Sequence, residues 1–188
     1  MKHSLKGLLV TVVVAVLVGV LWQKYDKFLS QGQQPPPGTK ILNEMEKSGV
    51  PDFSLNDLSG QPVKLSQFSD KIVIVNFWAS WCEPCVEEFP SLLSLIDHFK
   101  GQVILLAISA DFEKVDLENF LKAFDAKDPS LYVMWDKDQE VAKLFGTEVL
   151  PESYIVGRER VLVRKIAGVD NWYTPDAIEF FNTLVSAQ

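Results

Sequence analysis

Cys82 and Cys85 are the only cysteines among 188 residues, three positions apart in Phe77-Trp78-Ala79-Ser80-Trp81-Cys82-Glu83-Pro84-Cys85. Two thiols at this spacing, where a strand pattern gives way to a helix pattern, can close a disulfide and reopen it. At a helix start, unpaired N–H groups and the macrodipole favour a thiolate over a thiol. Cys82 would then be the exposed nucleophile, and Cys85, one turn further in, would resolve the mixed disulfide by attacking Cys82. The alternatives are an inert disulfide or half a metal site. A bridge over two intervening residues closes too small a loop to stabilise much. A zinc site needs further ligands, and the two histidines, His3 and His98, are poorly placed to supply them. Redox activity is therefore the leading reading, with no metal and no cofactor.

The neighbours of the pair carry their own chemistry. Pro84 fits a first helical turn. Glu83 puts a negative charge beside the thiolate and opposes the dipole, or is simply a solvated first-turn acid. Glu88 falls three residues after Cys85 on the same helical side as Phe89 and Leu92. An acid on an apolar face wants a partner or a task. Burial would raise its pKa and suit it to moving a proton to or from Cys85; the other reading lets Glu88 reach the surface. Leu150-Pro151-Glu152 precedes a strand, and its proline by itself marks only a turn.

The elements that position these residues follow from periodicity. Pro51 to Leu55 and Val63 to Leu65 flank Asn56-Asp57-Leu58-Ser59-Gly60, an expected β-hairpin. Ile72 to Trp78 and Val103 to Ile108 are nearly continuous apolar strands of a sheet covered on both faces. Between them, Cys82 to Lys100 has a helical apolar side. Leu117 to Phe124 fits a helix, Leu131 to Trp135 a strand, and Glu140 to Phe145 a helix ended by Gly146. Ser153 to Val156 and Val161 to Arg164 read as an antiparallel hairpin. Pro175 to Val185 closes as a helix with Thr174 as N-cap. This order implies a mixed α/β sandwich.

Charge divides the chain. Residues 1–30 hold four Lys and one Asp, a net +3, whereas the remainder holds 14 basic and 24 acidic residues, a net −10. So acidic a domain does not attract nucleic acid or anionic lipid. Leu8 to Trp22 carries no charge, and with its flanks (residues 7–28) reads as a transmembrane signal-anchor entering the lipid bilayer. No small-x-small cleavage site follows it. Lys2 and Lys6 would hold the short tail inside, placing the domain on the extracytoplasmic side. The expected organisation is tail and anchor over 1–30, a linker over 31–48 that is proline-rich to Gly38, and a domain over 49–188; residues 39–50 are ambiguous, with one short helix as a reading.

Asn76 to Cys85, with Glu88-Phe89-Pro90, resembles the thioredoxin superfamily. Pro51-Asp52-Phe53-Ser54-Leu55 and Leu150-Pro151-Glu152-Ser153 make it similar to the membrane-anchored TlpA/ResA-like branch, close to the reductases of cytochrome c maturation. The resemblance implies a thioredoxin-like three-layer α/β sandwich with a mixed central sheet, the β-hairpin and the transmembrane helix being N-terminal additions. It implies a thiol-disulfide oxidoreductase in which Cys82 attacks, Cys85 resolves, and Glu88 is the acid near the buried cysteine. Pro151 would be a cis-proline beside the disulfide, offering backbone bonds to a substrate. Trp81, Glu83, Pro84, Leu150, Pro151 and Glu152 would line the substrate surface, Glu152 being alternatively a plain surface charge. The partners implied are a disulfide-containing protein such as apocytochrome c and a membrane thiol relay as electron donor. The location implied is the bacterial cytoplasmic membrane, single-pass, facing the periplasm. Asn76 stands where cytosolic thioredoxins carry a buried aspartate, and Gly157-Arg158-Glu159-Arg160 where the branch has an Asp-x-x-Gly turn. The competing functions are a copper chaperone using the same two cysteines, a general disulfide oxidase or isomerase, and a peroxidase, whose Pro-x-x-x-Thr-x-x-Cys site is absent.

Overall fold

Residues 2–31 and 37–187 are described by the computed structural model of the chain, which divides into two units, 1–36 and 37–188. The first unit contributes one helix, α1 (Lys2–Gln31). Its described side chains, 12–28, are exposed, and most are apolar. Among the described residues no helix is long and apolar enough to cross a membrane, so the expected transmembrane helix is not supported. The physical reason lies in the sequence. The apolar run Leu8 to Trp22 has 15 residues, short of the ~20 that a bilayer core takes, and Gln23, Lys24, Asp26 and Lys27 follow it.

The second unit begins earlier than the sequence implied. Of the expected linker over 31–48, residues 32–36 lie outside the described residues. Pro37–Ser48 is a helix, α2, which buries Met45 and packs Ile41 and Leu42 on the core. Then come β1 (Ser54–Asn56), β2 (Pro62–Lys64), β3 (Ile72–Trp78) and α3 (Glu83–Phe99). After these follow β4 (Val103–Ser109), α4 (Lys114–Ala123), β5 (Leu131–Trp135) and α5 (Glu140–Phe145). The chain closes with β6 (Glu152–Val156), β7 (Leu162–Ala167) and α6 (Pro175–Ser186). β1 and β2 form the expected hairpin, with Leu55 opposite Val63.

The main sheet has the order β5-β4-β3-β6-β7. β3, β4 and β5 are parallel, β6 runs antiparallel to β3, and β7 to β6. The three-layer sandwich with a mixed sheet is thus the one expected. Both faces of β3 are buried because successive side chains alternate between two cores. Ile72, Ile74 and Trp78 join Phe89, Leu92 and Ile96 of α3, Phe120 of α4 and Phe181 of α6. Val73, Val75 and Phe77 meet Met45 of α2, Val63 of β2 and Phe145 of α5 on the other face. Truncating a fully buried aromatic such as Phe89 to Ala would cost about 3–5 kcal/mol.

The ends of α3 fix the redox segment. Cys82 is its N-cap, in extended conformation, and Pro84 lies in the first turn. Lys100 ends it in the left-handed region with φ 44°, its N–H donating to Ile96 O. At α6, Thr174 Oγ1 accepts from Ala177 N at 3.1 Å, as the sequence predicts. β6 and β7 are joined through a 3-10 turn, Arg158–Arg160, in which Glu159 and Arg160 take φ of 55° and 61°. Paired bonds with Val50, Val50 N to Arg160 O and Arg160 Nη1 to Val50 O, brace this turn.

Candidate active site

Cys82 and Cys85 are joined as a disulfide with Cα atoms 5.2 Å apart. The helix start forces this proximity: Cys85 N donates to Cys82 Sγ at 3.3 Å, and Val86 N to Cys82 O at 3.1 Å. The Cys85 N–H is the one that would stabilise a Cys82 thiolate after reduction. The two sulfurs are not equivalent. Cys82 is 6 % exposed and lines a cavity of about 460 Å³, whereas Cys85 is 1 % exposed and does not line it. Trp81 and Pro84 share that cavity with Cys82, as do Glu148, Val149 and Leu150 from the loop before β6. Glu83 is exposed at the helix start.

Glu88 is 2 % exposed, so it does not reach the surface. One carboxylate oxygen accepts from Asn76 Nδ2 at 3.0 Å, and the same amide donates to Ser153 Oγ at 2.9 Å. The other oxygen accepts from Asp170 N at 3.2 Å and Trp172 Nε1 at 3.3 Å. Burial pushes the Glu88 carboxyl above its ordinary range, against these donors, which pull it down. The Asn76 amide therefore braces the acid, and its own Oδ1 is buried without a hydrogen-bond partner.

The Leu150–Pro151 peptide is cis; Leu150 lines the cavity with Cys82, whereas Pro151 is buried and does not line it. Pro151 O accepts from Gly168 N at 2.8 Å. Glu152 departs from both expectations. It is 2 % exposed, does not line the cavity, and is neither a surface charge nor a groove residue. Its strand position opposite Phe77 turns it to the core of α5 and the hairpin. There it pairs with Lys165 Nζ at 2.8 Å and lies 2.5 Å from the Tyr154 hydroxyl, which also reaches Phe145 O at 2.8 Å. Burial and Glu152 push the Tyr154 phenol far above its ordinary value, so it stays protonated as a donor.

A further buried acid, Asp111, has no counterpart among the sequence expectations. Ser80 N donates to its two oxygens at 3.0 and 3.1 Å, and Ser80 Oγ to Oδ1 at 2.6 Å. Ser109 Oγ donates to Oδ2 at 2.6 Å, and Trp135 Nε1 to Asp111 O at 2.7 Å. Asp111 thus ties the segment before Cys82 to the loop after β4. The loop's position at the carboxyl end of a parallel strand was the available signal. The partners of Glu88 from the loop after β7, Asp170 and Trp172, carry no local signal. Among the described residues, no group of three or more His, Cys, Asp or Glu is arranged to hold a metal ion.

Residues 47–165 match the AhpC/TSA family. The thiol-disulfide oxidoreductase ResA of Bacillus subtilis (strain 168) is 34% identical over 124 residues, covering 65% of this chain and 68% of that protein. ResA of Geobacillus thermodenitrificans (strain NG80-2) is 27% identical over 170 residues, or 89% and 91% of the two chains. Among solved structures, a putative thiol:disulfide interchange protein DsbE from Chlorobium tepidum has a TM-score of 0.60 at 27% identity, over 74% and 94% of the chains. A putative thioredoxin from Neisseria meningitidis gives 0.64 at 25% identity, over 74% and 91%. The chain belongs to the AhpC/TSA family, with a thioredoxin-like fold, and is a thiol-disulfide oxidoreductase of the ResA/DsbE type. Its substrates as a class are disulfide-containing proteins.

Proposed function

We propose that this protein is a membrane-tethered reductant of protein disulfides outside the cytoplasm, with apocytochrome c as its substrate. The observation that carries the redox roles is the inequality of the two sulfurs: Cys82 borders the cavity and Cys85 does not. In the reduced protein the Cys82 thiolate attacks one sulfur of the substrate disulfide, and the displaced sulfur leaves as a thiolate that takes up a proton. Cys85, having given its proton to Glu88, attacks Cys82 Sγ and releases the second substrate sulfur. Two electrons pass to the substrate, and the Cys82–Cys85 disulfide is left behind. A membrane thiol relay restores the dithiol.

Pro151 has no N–H and its carbonyl already accepts from Gly168, so Leu150 offers the backbone bonds to a substrate chain. Trp81 and Pro84 support that chain. Glu83 keeps the approach acidic. Residues 7–28 engage the lipid bilayer as the tether, through the apolar side chains of α1. The reading is supported by the charge-free run Leu8 to Trp22 and by the exposed Leu17, Leu21 and Trp22 of α1. Labelling Cys82 in intact cells with a membrane-impermeant thiol reagent tests the orientation; protection until lysis would overturn it.

Replacing Cys85 with Ala removes the resolving step and should accumulate mixed disulfides through Cys82. Capture of an apocytochrome c is the expected result, read by non-reducing electrophoresis and mass spectrometry. Capture of other thiol proteins but never an apocytochrome would refute the substrate assignment.

A further inference from the structure

Two large aromatic rings lie open to solvent, one of them on the cavity that the reacting sulfur lines and the other stacked on it. Trp81 is 56 % exposed and Phe112 is 72 % exposed. They stack on each other at 5.9 Å between centroids with 15° between planes. Neither ring is there to fill a core, yet both are held firmly. The residue before Trp81 and the residue before Phe112 are bonded to each other, since Ser80 donates its N–H and hydroxyl to the buried Asp111 carboxylate. A buried acid thus sets the spacing of two exposed rings. Such an arrangement presents π-faces next to Cys82, and aromatic faces attract cations.

The charges around the rings select the same sign of ligand. Glu83 is exposed next to Cys82, Glu113 is exposed directly after Phe112, and Glu148 is exposed on the cavity that Trp81 and Cys82 line. The basic residues nearby are engaged: Lys114 pairs with Glu118 at 3.7 Å, and Lys137 Nζ lies 5.6 Å over the Trp135 ring. We propose that Trp81 and Phe112 form a shelf for a Lys or Arg side chain flanking the disulfide of a polypeptide substrate, which makes Phe112 a specificity-determining residue. This rests on the thiol-disulfide reading above and narrows its substrates to polypeptides with basic residues beside the cysteine. Phe112 takes no part in the thiol exchange itself.

The test uses the full-length reduced protein in detergent micelles and single-turnover kinetics with peptides bearing one intramolecular disulfide. The peptides differ only in Arg, Gln or Leu beside the first cysteine, and hydroxyethyl disulfide serves as the small substrate. The wild type should react about fivefold faster with the Arg peptide than with the other two, the ratio given by ~1 kcal/mol of cation–π attraction. Phe112→Ala should erase that preference and Phe112→Tyr keep it, with hydroxyethyl disulfide unaffected by either. A preference that survives Phe112→Ala would assign it to the acids alone and overturn the shelf. Equal rates for Arg and Leu would overturn it as well, in favour of a merely apolar contact. If hydroxyethyl disulfide and all the peptides fail to react, the redox reading fails separately. Calorimetric titration of the oxidised protein with the Arg and Gln peptides then decides the shelf: tighter Arg binding lost in Phe112→Ala upholds it, and equal binding refutes it.

Discussion

Asp111 carries a full carboxylate in a buried place, and its removal has a calculable cost. Asp111→Ala leaves three donors without their acceptor: Ser80 N, Ser80 Oγ and Ser109 Oγ. A hydrogen bond to a charged group contributes roughly 1.5–3 kcal/mol net. Ser109 is buried, so its loss counts in full; Ser80 is half-buried, and water recovers part of its two bonds. The sum is about 4–5 kcal/mol before relief of the carboxylate's own desolvation, which returns about a third of it, leaving about 3 kcal/mol. Asp111→Asn keeps one acceptor for Ser80 and can donate to Ser109 Oγ, so about 1 kcal/mol is expected. Equilibrium urea unfolding of the oxidised protein measures both, with unchanged m-values required for the comparison. The decisive feature is the order, wild type above Asn above Ala. An Ala variant within about 0.5 kcal/mol of wild type would mean that water replaces the carboxylate, and the clamp would lose its standing as the brace of the Cys82 segment.

Two further perturbations test other joints of the structure. Glu88→Gln should alter the pH dependence of stability in a definite direction. Burial holds the Glu88 carboxyl above its ordinary value of 4.5, so the fold favours its protonated form. That contribution is fully present below about pH 4.5 and is lost as pH rises through the raised folded value. Wild-type stability relative to Glu88→Gln should therefore fall across this window and level off above it. Urea midpoints measured from pH 4 to 9 check this, and parallel curves would refute it. Gly146→Ala should destabilise by about 1–2 kcal/mol, because Gly146 sits at φ 67° where a Cβ is strained. The added Cβ would also lie 2.8 Å from Ile41 Cδ1, though that methyl is free to swing aside. A thermal midpoint unchanged from wild type would refute the strain argument.

What could be read from the sequence was what the chain encodes locally. The cysteine pair, its helix and the Thr174 cap rest on residues within one or two turns of each other, and each forms where the pattern placed it. The alternation of β3 between two cores follows from its nearly continuous apolar run, since a strand covered on both faces has nowhere to put a polar residue except against a partner. Asn76 is that exception, and its partner defines the site. Its amide reaches Glu88 and Ser153, the latter 77 residues away in sequence, while the other oxygen of Glu88 meets residues 82 and 84 positions distant. No periodicity encodes such pairings, so the burial of Glu88 was open to prediction but its donors were not. Glu152 shows the same limit from the other side. A strand residue's face is set by register, and the pairing of Glu152 with Phe77 turns it to the core, where Lys165 arrives from β7 to meet it. Glu88 and Glu152, both buried, thus occupy opposite faces of one sheet with opposite supports: neutral donors for the first, a lysine for the second. A lysine beside Glu88 would favour its charge and draw its titration down. Neutral donors alone leave desolvation dominant, so the Glu88 carboxyl stays above its ordinary range.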